Sequence, residues 1–427
     1  MLEVTEDNFF EHLDAILEGR TVWLPTRLIK EIGDYSRERK GRNWPAKVYN
    51  FIESRQSEFK DNDSFVEIHT NSFRETLGGS DWTRNEAKGW LKHNGFLVDD
   101  GESIPGEKSL GYWVNVDDGT QAPYLLEAGE KVTLENATDD SDICKFTRSN
   151  LNCLEFDKDL FHSLFAVALE SKRLALEGED ISTVFNRVRH TIYPAKKLQD
   201  KVGRVFRDKT GRLHSPWTGL KSLYREAFTA EGESLTLIDC RAAQPSLLAR
   251  VSGDSLLLAD CLSDKFYEKI GIVLECDRDG AKEGYCLYAY GNNRGHQTKE
   301  DKSTAEKVHT FMWSEYREAA QYAYFKKAHG TSKGYVELSL KLMADESKFF
   351  IDGVLSEMMR SGVWSVSIHD ALTVKESDEE AAKEIISKVM RADNYRLRFK
   401  IESTSSRSIK KLGELAKKFS LKRRKEE

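Results

Sequence analysis

Apolar and polar positions change their spacing several times along the chain, and each change marks an element. The first segment opens at helical spacing. NSFRETLGG (71–79) reads as a short helix stopped by glycine. SDWTRNEAKGWLKHNG (80–95) reads as a second helix, capped by Ser80 or Asp81 and ended by Gly95. Two short apolar runs, FLVDD and YWVNV, then flank a Gly-containing loop, the signal of a hairpin. Helix, turn, helix, hairpin is the order of a winged helix, a common module for duplex DNA. Arg84, Lys88 and Lys92 recur four apart on one face of the second helix, where phosphates would lie. A small helical packing domain with a solvated basic face is the plainer alternative.

Residues 121–204 read as an acidic stretch followed by amphipathic helices, a connector or thumb-like segment. The pattern then turns to strands. Leu235-Thr-Leu-Ile predicts a short buried strand with Asp239 at its end, followed by a helix that tolerates Pro245 near its start. In 277–295, Arg278, Lys282, Tyr285 or Cys286, and Tyr290 fall on one helical face, cations first and aromatics after. WSVSIHD and ALTV predict two strands meeting in a tight turn at His369 and Asp370, with an amphipathic helix beyond. The expected fold is α+β: a palm of antiparallel strands over 205–402, with helical fingers inserted at about 265–349. Domain 1–120 precedes it, and a basic tail, 403–427, follows.

Composition narrows the class. The chain has 427 residues, 39% hydrophobic and 32% charged, and reads as a charge-rich globular protein with room for two or three domains. No apolar run is long enough to span a membrane, and the acidic N-terminus lacks a signal peptide's basic stretch and apolar core, so a cytoplasmic location is expected. Six cysteines without CxxC pairing or a supporting His cluster predict buried free thiols, not zinc or disulfides. The net charge of −6 argues against a nucleic-acid partner, but basic residues concentrate in 189–212 and in the last twenty or so positions.

The candidate chemistry is phosphoryl transfer. Attack on a triphosphate builds charge on the attacking and leaving oxygens, which two divalent ions can stabilise. Magnesium takes hard oxygen ligands and keeps several waters, so two carboxylates suffice. The triphosphate tail needs Arg or Lys. Asp239, Asp370, Arg278 and Lys282 supply that minimum.

These segments resemble the family A polymerases, the DNA polymerase I-like enzymes and the related single-subunit phage-type RNA polymerases. Asp239, Gln244, Leu248, Ala249, Ser252 and Asp254 follow the family's first palm motif, with Leu248 one position from its usual place. Arg225-Glu-Ala-Phe228 looks like the element that precedes that motif, and Thr210-Gly211-Arg212-Leu213 like the primer-template contact. Arg278, Lys282, Tyr290 and Gly291 match the finger-helix motif, and His369-Asp370 the third motif.

The resemblance implies that Asp239 and Asp370 bind two magnesium ions, with manganese as a possible substitute. Arg278 and Lys282 would grip the phosphates. Tyr290, with Gly291 after it, would stack at the templating position. His369 would touch the primer end, and Arg212 and Arg225 would lie along the primer-template. The implied partners are DNA template and primer and nucleoside triphosphates, with the chain acting as a monomer.

The sequence also departs from the family. Gln244 stands where the DNA polymerases place a Glu that helps exclude the ribose 2′-OH. Cys286, with Tyr285 before it, stands at the finger-helix aromatic, and Ala371 replaces the Glu after His-Asp. No Asp-x-Glu exonuclease pattern is found near the N-terminus. The expected activity is a DNA polymerase without proofreading. A primase-polymerase or RNA polymerase accepting ribonucleotides is one alternative, and an inactive polymerase-like DNA-binding replication protein another.

Overall fold

The computed structural model of the chain describes residues 8–18, 21–25, 27–29, 31–32, 44–56, 66–67, 77, 81–101, 111–114, 121–125, 136–175, 180–188, 191–290, 299–328 and 334–403. It is helix-rich with small sheets, mostly antiparallel, compatible with an α+β class. Among the described residues no helix is long and apolar enough to cross a membrane.

Two hydrophobic cores organise the chain. Helix α1 (Phe9–Leu17) sends Leu13, Ile16 and Leu17, at helical spacing, into the larger one. Next in the chain come strand β1 (Thr21–Pro25), helix α2 (Trp44–Gln56), strand β2 (Val66–Glu67), helix α3 (Asp81–His93), and strands β3 (Leu97–Asp99), β4 (Gly111–Val114) and β5 (Gln121–Leu125), with residues of β1, α2, α3, β3 and β4 in the smaller core. β1 pairs with β5, and the other three strands form a sheet in the order β2-β4-β3. Tyr49, Ile52, Ala87, Leu91, Phe96 and Val114 fill the space between helices and sheet. Gly95 ends α3 at φ 75, with the Phe96 N–H on Leu91 O at 2.9 Å and the Gly95 N–H on Lys92 O at 3.1 Å, a Schellman closure. The helix expected at 71–79 lies outside the described residues except for Leu77. α1 thus sends its apolar side chains into the larger core while also lying against β1, within the segment expected as one domain, 1–120.

The segment expected as a helical connector also carries strands. β6 (Asn136–Thr138), α4 (Asp142–Asn152), β7 (Leu154–Phe156), α5 (Lys158–Ala175), α6 (Ile181–Val188) and α7 (Ile192–Gln199) lead to β8 (Gly203–Arg207), β9 (Leu213–His214), the short α8 (Pro216–Gly219) and β10 (Phe228–Ala230). β6 pairs parallel with β8, and β7 antiparallel with β10. The boundary read at 204/205 runs through β8.

Next come β11 (Leu235–Arg241), α9 (Ala243–Ser252), α10 (Ser255–Leu262), α11 (Lys265–Leu274), α12 (Arg278–Tyr290), α13 (Lys299–Glu315), α14 (Arg317–Ala328) and α15 (Gly334–Ser347). α15 runs into a π-helical segment, Lys348–Leu355, and then α16 (Ser356–Ser361). Strands β12 (Ser365–Ile368) and β13 (Ala371–Lys375), helix α17 (Glu379–Ala392) and strand β14 (Arg398–Ser403) complete the described chain. The central sheet has the order β12-β13-β11-β14, antiparallel throughout, with α9 to α16 lying in sequence between β11 and β12. Leu235 to Ile238 are all buried, so β11 is covered on both faces. α17 lays Ala382, Ile385, Ile386 and Val389 inward and packs against β13.

All six cysteines are free. Cys144, Cys240 and Cys261 are buried as expected, but Cys276, in the connection between α11 and α12, and Cys286, on the outward side of α12, are exposed.

Candidate active site

β11 does not end at Asp239. It continues to Arg241, pairing Asp239 with Ala371 on one side and Lys400 on the other. The β12–β13 hairpin turns on two residues, His369 and Asp370, with Ile368 paired to Ala371 and His369 at φ 53. The Cys240 N–H donates to the Asp370 carbonyl at 3.1 Å, tying the turn to the strand that carries Asp239. Asp239 thus lies on β11 and Asp370 in the turn that leads into its neighbour β13, both fixed by backbone pairing.

Burial, then the charges of Glu346 and Asp239, push the Asp370 carboxyl up to about 7. Burial, and after it the same three acids, raise the Cys240 thiol. Crowded carboxylates in a poorly solvated place resist ionising together, and a bound cation reverses that. The crowded carboxylates and their hard oxygen donors fit magnesium or manganese. Among the described residues no group of three or more His, Cys, Asp or Glu side chains could hold a metal ion.

On α12 the expected place of Tyr285 on the open face must be corrected. Ala281, Gly284, Tyr285, Tyr288 and Ala289 form the buried stripe, whereas Lys282 and Cys286 are exposed. Tyr285 is 1% exposed and meets Phe266 edge-on at 5.3 Å, so it packs the core and is not open to a nucleotide. Among the described residues its hydroxyl has no hydrogen-bond partner. Tyr285→Phe is therefore expected to leave nucleotide affinity unchanged and to hold or raise the unfolding midpoint, since it removes an unsatisfied buried polar group. Thermal unfolding and nucleotide titration check both, and a clear loss of affinity would return Tyr285 to the site.

Arg278 donates to Asp264 at 2.6 Å and lies 5.3 Å from the Tyr267 ring centre. Asp264 also accepts from Arg241. Burial would raise the Asp264 carboxyl, but Arg278 and then Arg241 hold it below the usual range. Lys282 is exposed, with Asp279 3.8 Å away. Gly291 lies outside the described residues.

The first-motif and duplex-contact residues converge on a group that no motif contains. Arg212 forks onto Glu346, Nε to Oε1 at 2.9 Å and Nη2 to Oε2 at 3.0 Å. Gln244 Nε2 donates to the same carboxylate, and Gln244 Oε1 accepts from the Tyr290 hydroxyl at 2.8 Å. The Arg212 guanidinium is thus engaged inside the protein, where the resemblance implied a duplex contact. Glu346 carries a legible signal: Leu338, Leu342 and Glu346 recur four apart, so a carboxylate occupies a core stripe of α15. Asp254, the last motif position, has a structural task. It caps α10 through the Leu257 N–H at 2.9 Å and accepts from the Ala319 N–H at 3.2 Å.

The loop presenting Arg212 folds around Asp208, whose carboxylate accepts the Thr210 N–H at 2.8 Å and the Arg212 N–H at 3.1 Å. Gly211 has φ 83, and a Cβ there would come 2.8 Å from Arg207 Nη2 and 3.3 Å from Ser347 Cβ, so the loop seats against the end of α15. His214 bonds Asp208 at 2.9 Å and stands edge-on to His369, 6.1 Å between ring centres. Burial, then Arg212, His214 and Arg225, push the His369 imidazole down to about 4, leaving it neutral near pH 7. The Arg225 guanidinium lies 5.9 Å from the Trp217 ring centre. Cavities of about 290 and 570 Å³ flank Tyr395 and Arg396, and neither is lined by the two carboxylates.

The basic face expected on α3 needs correction. Arg84 is 3% exposed because it shares the inward stripe of Ala87 and Leu91. Lys88 donates to the Tyr112 hydroxyl at 3.3 Å, and Lys92 pairs with Asp99. Two of the three cations thus turn toward the protein's own hairpin.

No protein-family model and no curated protein matches the chain. Among solved structures, it is similar to the POL domain of Pol1 from M. smegmatis in complex with DNA primer-template and dNTP, with 14% identity and a TM-score of 0.33. The match covers 63% of this chain and 66% of that one, just under two thirds of its length.

Proposed function

We propose that the chain is a template-directed nucleotidyltransferase, a DNA polymerase without a proofreading exonuclease, with Asp239 and Asp370 holding two magnesium ions. The carrying observation is the carboxylate pair on β11 and the turn into β13, locked by the Cys240–Asp370 backbone bond and crowded by Glu346. Bound there, the ions would stabilise the attacking and leaving oxygens of an in-line displacement.

The chain's own residues do the rest. Arg278 and Lys282 stand a turn apart on α12 and receive the triphosphate, Arg278 exchanging its contact with Asp264 for a phosphate. Tyr290 and Cys286 face the base. His369, neutral at working pH, borders the primer end beside Arg225 and Arg212. The segment 1–120 acts as a winged-helix-like holder of duplex DNA. The basic residues of 403–427 add a further electrostatic contact.

A second reading, a primase-polymerase or RNA polymerase, is favoured by Gln244. Its uncharged amide, tethered to Tyr290 and Glu346, stands where a charged sugar gate is implied. Primed and unprimed DNA templates, each supplied with deoxynucleotides or ribonucleotides and magnesium, separate the readings. Extension of the primed template with deoxynucleotides alone supports the DNA polymerase. Products from the unprimed template, above all with ribonucleotides, support the primase reading. No product from any template contradicts both and leaves duplex binding as the activity.

A further inference from the structure

Four segments far apart in sequence meet at Glu346. Arg212 reaches it from the loop before β9, Gln244 from the second residue of α9, and Tyr290, through Gln244, from the end of α12. Glu346 is 2% exposed and sits between two other buried polar residues, Asp345 at 8% and Ser347 at 2%. A packing helix would place apolar side chains at such positions, because each buried polar group needs its own partners. The helix changes to π geometry two residues later, at Lys348, a local distortion found often at functional sites. The loop carrying Arg212 is seated on the same spot through Gly211 and Ser347.

An amide side chain alone has no preferred sense: oxygen and nitrogen can exchange places by rotation. Here the sense is fixed from both ends. A carboxylate only accepts, so the Gln244 NH₂ must face Glu346, and the oxygen then faces the Tyr290 hydroxyl. The same carboxylate fixes the Arg212 plane by its two parallel bonds. Resting on the nucleotidyltransferase reading, we propose that Glu346 is the positioning residue of the site. It sets the sense of the Gln244 amide and the plane of Arg212, and through Gln244 it holds the Tyr290 ring at the substrate side of α12.

The test is a double-mutant cycle on single-nucleotide incorporation with Glu346→Gln, Gln244→Ala and the pair, alongside thermal unfolding. The glutamine side chain introduced by Glu346→Gln would keep the shape but offer one acceptor in place of two, leaving its NH₂ against a guanidinium donor. E346Q is expected to lower kcat/KM roughly 10- to 100-fold, the scale of a misplaced substrate-positioning group, while still folding. In the pair, the loss should match that of the worse single variant within about twofold, because both act through one amide. E346Q within about twofold of wild type, or losses that multiply in the pair, would overturn the proposal. Should E346Q not fold, the same cycle with Tyr290→Phe, which deletes one hydroxyl beyond Gln244, decides it: shared losses support the clamp and independent losses overturn it. A wild-type protein without incorporation overturns the polymerase reading and this inference together. An active wild type with an indifferent E346Q overturns this inference alone.

Discussion

Asp370→Asn is expected to lower magnesium-dependent nucleotide incorporation by about a thousandfold or more, and Asp239→Asn likewise, since a metal clamp contributes several kcal/mol to the transition state. The change is nearly isosteric. The bond from the Cys240 N–H goes to the Asp370 backbone carbonyl, so the hairpin should survive. The folded protein should even gain stability when a chelator is present. Asp370 is raised to about 7 when folded, against about 3.9 for a free Asp. A raised carboxyl contributes stability fully present below the unfolded value and lost as pH rises through the folded one, here from about pH 4 to pH 7. Above pH 7 the metal-free wild type thus carries a repulsive penalty that Asn removes. The variant's unfolding midpoint should exceed the wild type's at pH 8 and approach it near pH 4. An active, less stable D370N protein would contradict both parts.

Arg212→Ala carries the second large effect. It leaves Glu346 buried without its bidentate partner, and breaking a buried pair from one side costs about 3–5 kcal/mol. At about 1–2 °C per kcal/mol for a chain of this size, the unfolding midpoint should fall by roughly 5 °C. Burial already raises the Glu346 carboxyl, and losing Arg212, whose charge lowers it, lets it rise further. The penalty therefore applies when Glu346 is ionised, grows with pH, and shrinks on acidification. Arg212→Lys should recover only part of the loss, because an ammonium cannot fork onto both oxygens. Unfolding scans at pH 5 and pH 8 check the size and the slope, and a midpoint unchanged at both would sink the account of this pair.

Much of the central sheet was legible because β11, β12 and β13 are covered on both faces. Leu235 to Ile238 form an unbroken buried run, and His369-Asp370 separates two β-rich runs at hairpin spacing. The amphipathic stripe of α17 was equally clear. What sequence hides is tertiary competition. β11 runs on through Asp239 to Arg241 because β14 pairs with it from the other side, a long-range effect with no local mark. The strands β6 and β7 are three residues each and take their identity from partners some 65–75 positions away.

At the site, the helical period placed Arg278, Lys282 and Tyr290 on one face but left Tyr285 and Cys286 undecided, one position apart. Packing against Phe266 and Tyr267 settles which of the two turns inward. Arg84 misled for the same reason, since a cation at a stripe position was read by its charge and not by its register with Ala87 and Leu91. Glu346 went unread because its partners, Arg212 and Gln244, lie more than a hundred positions away.

The central claim is that Asp239 and Asp370 support metal-dependent nucleotide addition directed by a template. Single-nucleotide incorporation tests it most directly: one primed template for each templating base, the four deoxynucleotides supplied one at a time, with magnesium or with a chelator, and D370N in parallel. The account predicts one added nucleotide, complementary to the templating base, that disappears with the chelator and with D370N. Addition indifferent to the templating base, addition that survives D370N, or no addition under any condition would contradict it.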